Sequence, residues 1–175
     1  MSDKEIERRW LLDYDFFNNY VTGSDRVLRR GIVNTTYFRP VTKRMKGDYE
    51  LRFRSFILVN EEDRYKMSVK VGTGLVRDEY EMDVPKEKWQ QFVSNLPIIS
   101  CVWYTDPDEF KRIDIKLLMI GKQKLCILEK EFPDEESAMS FKLDDKYGIV
   151  LKEVTEDKHY NLFNLYQKFL KVNKL

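Results

Sequence analysis

The chain has only two cysteines, Cys101 and Cys126, and neither has a histidine or second cysteine at metal-ligand spacing. That excludes a disulfide framework and a zinc site, and leaves two free thiols suited to a reducing compartment. The lone histidine, His159, opens a terminal helical stretch and reads as a surface residue rather than a catalytic one. No apolar run approaches the roughly 20 residues that cross a bilayer, which excludes a membrane partner of that kind. The start, Met1-Ser2-Asp3-Lys4-Glu5, is polar and charged, so a cytoplasmic protein is the expectation. Charge of one sign is also lacking: 31 Lys and Arg face 30 Asp and Glu, a net charge of +1. No overall field draws nucleic acid, and any electrostatic specialisation must lie in where the charges sit.

There is no internal repeat, no low-complexity tract and no Pro/Gly/Ser linker, and 175 residues suit one domain, 1–175. What is present is a recurrence of short segments rich in β-branched and aromatic residues. Turn signals such as Lys46-Gly47-Asp48, Asn60-Glu61-Glu62-Asp63 and Gly72-Thr73-Gly74 separate them. The predicted strands are Glu5–Leu12, Arg30–Phe38, Glu50–Val59, Arg64–Val71, Leu75–Val84, Ile99–Thr105, Lys111–Met119 and Lys124–Phe132. Eight strands suffice for a barrel. Helices are predicted over Tyr14–Val21, Lys86–Leu96, Asp134–Phe141 and about Lys158–Val172. The last carries Leu162, Leu165, Tyr166 and Phe169 at helical spacing and should dock its apolar face on the outside of the barrel. The fold class is therefore α+β, an eight-stranded antiparallel β-barrel with helices packed on the outside.

Residues two apart on a strand share a face. Glu5, Glu7 and Arg9 fall together, as do Arg52 and Arg54; Lys66, Ser68 and Lys70; Arg77, Glu79 and Glu81; Arg112 and Asp114; and Glu129 and Glu131. One such face alone reads as the wet side of an ordinary sheet. Three Glu-x-Glu pairs, however, place like charges side by side and call for a cation between them, while the paired bases call for an anion. If the strands close with these faces inward, the lumen offers carboxylates to hard divalent ions and bases to phosphate oxygens.

These residues resemble the CYTH domain, or triphosphate tunnel metalloenzyme family, which includes thiamine triphosphatases, bacterial tripolyphosphatases, class IV adenylyl cyclases and some RNA triphosphatases. Glu5-Ile6-Glu7-Arg8-Arg9 is similar to its opening Glu-x-Glu-x-Lys strand, with arginine in place of the lysine. Leu51-Arg52-Phe53-Arg54, Met67-Ser68-Val69-Lys70, Arg77-Asp78-Glu79-Tyr80-Glu81, Ile113-Asp114-Ile115 and Leu128-Glu129-Lys130-Glu131 resemble its later strands in order. Glu153-Val154-Thr155-Glu156-Asp157-Lys158-His159-Tyr160 looks like a closing segment of the bacterial members. The sixth strand, Cys101-Val102-Trp103-Tyr104, lacks the base that is common there, so one phosphate contact fewer is expected. The asparagine usual two places after the closing tyrosine is displaced to Asn161.

The resemblance implies metal-dependent hydrolysis of a small-molecule triphosphate. Arg9, Arg52, Arg54, Lys70 and Arg77, with Lys66 and Arg112, would bind phosphate. Glu5, Glu7, Asp114, Glu129 and Glu131 would hold Mg²⁺ or Mn²⁺. Glu5, Glu7, Glu79 and Glu81 are the catalytic candidates, the first two through that metal. Glu79 and Glu81 either assist a second ion or serve as counterions to Arg52 and Arg54. Trp103, Trp10 and Tyr104 are either core residues or a stacking surface for an organic headgroup. A class IV-type adenylyl cyclase and a non-catalytic binder of nucleotides or phosphorylated ligands remain the rival readings. No nucleic-acid partner is expected, 5′-triphosphorylated RNA stays open as a substrate, and exposed barrel surface leaves room for a homodimer.

Overall fold

Strand alternation sets the architecture: a sheet charged on one face and apolar on the other can bury both only by rolling the charged face inward. The computed structural model describes residues 3–23, 29–38, 49–72, 74–105, 113–143 and 147–175. Its strands are β1 Asp3–Leu12, β2 Arg29–Phe38, β3 Tyr49–Leu58, β4 Arg64–Val71, β5 Val76–Asp83, β6 Ile99–Thr105, β7 Ile113–Ile120, β8 Gln123–Phe132 and β9 Val150–Glu153. The helices are α1 Tyr14–Gly23, α2 Lys86–Val93, α3 Glu135–Ser140 and α4 Leu162–Asn173. Lys111 and Arg112, predicted to open the seventh strand, lie outside the described residues.

Neighbouring strands follow the order β5-β4-β3-β2-β6-β7-β8-β1, all antiparallel, and β1 returns to β5. The closing register runs from Asp3 opposite Glu79 to Ile6 opposite Val76. Eight strands thus form a closed barrel, as expected, with the helices outside it. Beyond Ile6 the edge of β1 that β5 leaves open is taken by β9, which sets Glu153 opposite Trp10. Sequence reading missed β9, whose four residues are all exposed and carry no alternation.

Apolar residues in the outward phase form the main core. Trp10 and Leu12 of β1, Tyr104 of β6, Ile115 of β7 and Leu128 of β8 pack around Phe17 of α1. Each large apolar side chain buried this way contributes about 1.5–3 kcal/mol. On the opposite wall, α2 lays Trp89 and Val93 over Phe53. The α3 helix is capped by Asp134, which accepts from the Ser137 N–H at 2.6 Å. After it Phe141 packs against Trp10 and Phe132.

The predicted helix 158–172 is broken in two. Asp157 accepts from the His159 N–H and holds Lys158–Tyr160 as a single 3₁₀ turn, after which Asn161 accepts from the Phe163 N–H at 2.7 Å and starts α4. Two side-chain caps four residues apart stop a continuous helix from forming. Leu165 and Tyr166 of α4 cover Val33, Tyr37, Ile99, Leu118, Ile120 and Leu125. Those residues share the inward phase of their strands, so α4 lies across one mouth of the barrel. Among the described residues, no helix is long and apolar enough to cross a membrane.

Candidate functional site

The inward phase of the strands encloses a cavity of about 580 Å³. All thirteen of the sequence-derived site residues that are described line it: Glu5, Glu7, Arg9, Arg52, Arg54, Lys66, Lys70, Arg77, Glu79, Glu81, Asp114, Glu129 and Glu131. Arg112 lies outside the described residues. Among the described residues, nine basic and eight acidic side chains line the cavity, so this part of the lumen is nearly neutral and its charges first meet each other.

Register explains who meets whom. Arg77 stands opposite Glu5 across the β1–β5 pair, and its Nη2 lies 2.9 Å from Glu5 Oε2 and 3.3 Å from Glu7 Oε1. Lys70 pairs with Glu5 and lies 3.5 Å from Glu79, its register partner on β5. Arg52 Nε donates to Ser68 Oγ at 2.7 Å while its Nη2 reaches Glu79 at 2.9 Å. Arg54 and Lys66 share Glu81. Glu79 and Glu81 are therefore placed as counterions of the Arg52/Arg54 wall. On the other side, Arg9 Nε lies 3.4 Å from Glu7, and Arg9 Nη2 donates to the Thr155 carbonyl at 2.9 Å.

Burial and neighbours shift these groups. Burial, then Arg52, hold the Lys70 ammonium below its ordinary value despite Glu5 and Glu7. Arg54 is lowered in the same way by burial and Arg52. Burial alone would raise Glu79, yet Lys70, Arg52 and Arg54 outweigh it and hold the carboxyl below the usual range. Glu81 follows suit under Arg54 and Lys66. Cys101, also on the cavity wall, is pushed up to about 11 by burial and is no nucleophile near neutral pH.

Pairing is incomplete. Among the described residues, the buried Nε donors of Arg54 and Arg77 have no hydrogen-bond partner, Arg9 Nε reaches Glu7 only as a 3.4 Å ion pair, and Glu5 Oε2 meets Arg77 as an ion pair rather than a hydrogen bond. A buried donor left without a hydrogen bond costs about 1–3 kcal/mol, so these Nε groups leave the cavity able to take an added acceptor. Arginine donors of this kind match phosphate oxygens.

Sequence reading missed Lys116. It stands two residues after Asp114, in the same inward phase, and directly across the β6–β7 pair from Trp103. The base absent from the sixth strand is thus present on the strand beside it. The run Leu117-Leu118 that follows makes this stretch look apolar throughout, but the i, i+2 rule applied to Asp114 would have found the lysine. Its ammonium pairs with Glu129. Burial works against the charge, and Glu129, Glu7 and Asp114 overcome it, so the amine sits above its ordinary value. Glu50, in phase with Arg52 and opposite Lys70, was missed in the same way.

The aromatic alternatives separate cleanly. Trp10 and Tyr104 belong to the outer core, whereas Trp103 lines the cavity and meets Phe56 edge-on at 5.6 Å. His159 lies on the 3₁₀ turn beside Asp157 and is exposed.

No protein-family model and no curated protein matches the chain. Solved structures do. The inorganic triphosphatase NE1496 superimposes with a TM-score of 0.54 at 22% identity over 90% of each chain. PH1819 from Pyrococcus horikoshii OT3 gives 0.54 at 14% identity, covering 96% of this chain and 89% of its own. The chain shares the closed-barrel fold of these proteins. HpAC1 from Hippeastrum, named as an adenylyl cyclase and described as having a dominant triphosphatase activity, shares the tunnel at a TM-score of 0.52 and 12% identity, covering 77% of this chain and 82% of its own. Identities this low carry the fold of the tunnel and not its substrate.

Proposed function

We propose that this tunnel hydrolyses a small-molecule triphosphate with the help of Mg²⁺ or Mn²⁺. The observation that carries the reading is the cavity in which buried arginines, whose Nε donors make no hydrogen bond among the described residues, stand among inward-facing carboxylates. The low-identity likeness to a triphosphatase supports it at the level of fold.

The donor chemistry suits a hard divalent cation, since Glu5, Glu7, Asp114, Glu129 and Glu131 supply only carboxylate oxygens. Among the described residues no three acids converge closely enough to hold an ion as placed, because lysines and arginines occupy several of them. A bound ion supplies charge neutralisation at phosphate oxygens and a lower pKa for water. Arg52, Arg54, Lys70 and Arg77 grip the phosphate chain from one wall, Arg9 and Lys116 from the other. The walls hold the terminal phosphorus in line for water. Attack forms one P–O bond and breaks the bridging P–O bond, so that orthophosphate and diphosphate leave and the proton of the water passes to solvent or a lumen carboxylate.

Near neutrality of the described lumen makes cation and anion favour each other. A triphosphate claims the bases more readily once something else claims the acids, and binds more weakly without it. Trp103 and Phe56 on the cavity wall favour an organic headgroup as a second reading of the substrate. A panel of tripolyphosphate, thiamine triphosphate, ATP and 5′-triphosphorylated RNA, each with Mg²⁺, Mn²⁺ or EDTA, tests both. Orthophosphate release that EDTA abolishes is expected, and Glu7→Ala should lose it while keeping its circular dichroism spectrum. Tight binding of every triphosphate with no phosphate or cyclic nucleotide formed would make the protein a binder.

A further inference from the structure

A lysine is a costly occupant of a barrel wall. The inward residues that follow Lys116 on β7 are Leu118 and Ile120, and both are buried in the apolar cluster under α4. Lys116 is itself 8% exposed, so its ammonium has given up most of its water. Burial of that kind needs a charged partner, and Glu129 of the adjacent strand provides it.

Glu129 stands in register with Asp114 on one side and Arg9 on the other. Its carboxylate is thus the place where the acidic and basic halves of the lumen meet. Lys116 carries a point charge on a flexible stem, unlike the forked arginines around it, so it can exchange partners without rebuilding the wall. Glu129 can bind an ammonium or a hard cation, and because its Oε2 is already taken by the Lys116 ammonium, a cation that needs that oxygen competes with the lysine for it and is repelled by its charge.

We propose that Lys116 is a displaceable counterion of Glu129, which a divalent cation must evict in order to bind and which then turns to the phosphate chain. The inference rests on the triphosphate reading above for its second half only. The ion pair couples the two ligands. An anion that draws Lys116 away opens Glu129 to metal, and by reciprocity a metal on Glu129 frees Lys116 for the anion. The lysine therefore weakens metal binding in the ligand-free barrel and strengthens triphosphate binding.

Opposite signs for the two ligands separate this from a structural role, because a poorly folded variant would lose both. Mn²⁺ binding to the ligand-free protein, and tripolyphosphate binding in EDTA, are measured by titration calorimetry at one pH. Lys116→Met should bind Mn²⁺ at least ten-fold more tightly than the wild type and tripolyphosphate several-fold more weakly. Lys116→Arg, which keeps the charge, should stay near the wild type for Mn²⁺. If Lys116→Met does not fold, Lys116→Gln carries the same expectation. Mn²⁺ affinity that is unchanged, weaker or absent in the neutral variants overturns the proposal. If the variants gain Mn²⁺ affinity while no form binds tripolyphosphate, the counterion role stands and the triphosphate reading falls.

Discussion

Lys70 shows what one residue does in a lumen of this kind. It is 3% exposed, pairs with Glu5 and lies within reach of Glu79. Removing one partner of a buried pair leaves the other charge without compensation, which costs more than the pair itself contributes. Lys70→Ala should therefore destabilise the protein by about 3 kcal/mol in urea unfolding, with Arg77 limiting the loss by staying on Glu5. The double variant Lys70→Met with Glu5→Gln should regain much of it, and failure to do so would show that the uncompensated Glu5 charge is not the source of the loss. Single residues were the most legible level of this molecule. Alternation with period two placed thirteen acids and bases in one cavity, because an inward strand face imposes that period on any sequence that folds this way. Lys116 and Glu50 escaped because alternation was followed only where several charges stood together, and each of these extends a face by a single residue.

At the scale of elements, the segment that follows β9 does more than close an edge. Thr155 Oγ1 accepts from the Arg9 N–H at 3.1 Å and donates to Glu153 Oε1 at 2.7 Å, and Arg8 donates to both oxygens of Glu153. Arg8 also donates to the carbonyls of Ala138 and Phe141. One chain of contacts thus joins α3, β9 and the backbone of Arg9, a residue whose own side chain lies in the cavity. Thr155→Val keeps the shape and removes the acceptor, leaving the Arg9 N–H buried without a partner. It should cost about 1–3 kcal/mol by chemical denaturation and raise KM for the proposed triphosphate substrate as the Arg9 backbone relaxes, whereas Thr155→Ser should behave like the wild type. None of this was legible as secondary structure. β9 exists because an edge of β1 lies open 140 residues earlier in the chain, and no local pattern encodes that. The break before α4 was closer to hand, since Asp157 and Asn161 are both capping residues, but the apolar period beyond them reads as one helix.

For the molecule as a whole, two carboxylates of the lumen wall, Glu79 and Glu81, are held ionised by their neighbours. Glu79 and Glu81 sit below their ordinary value of 4.5, with Arg52, Arg54, Lys66 and Lys70 outweighing burial. Outside the barrel, Asp157 is held down to about 2 by hydrogen bonds from Lys152 and His159. A carboxyl with a depressed folded pKa binds protons less readily when folded than when unfolded. Its stabilisation is complete above the unfolded value and is lost as pH falls through the folded one. The urea midpoint of the ligand-free protein should accordingly hold steady above about pH 5 and decline steadily below about pH 4.5. Glu79→Gln with Glu81→Gln should lower the plateau and flatten the decline, because the groups that titrate are gone. A double variant with the same steep acid slope as the wild type would place the sensitive carboxylates elsewhere and show that the ion pairs of this wall do not hold the barrel closed.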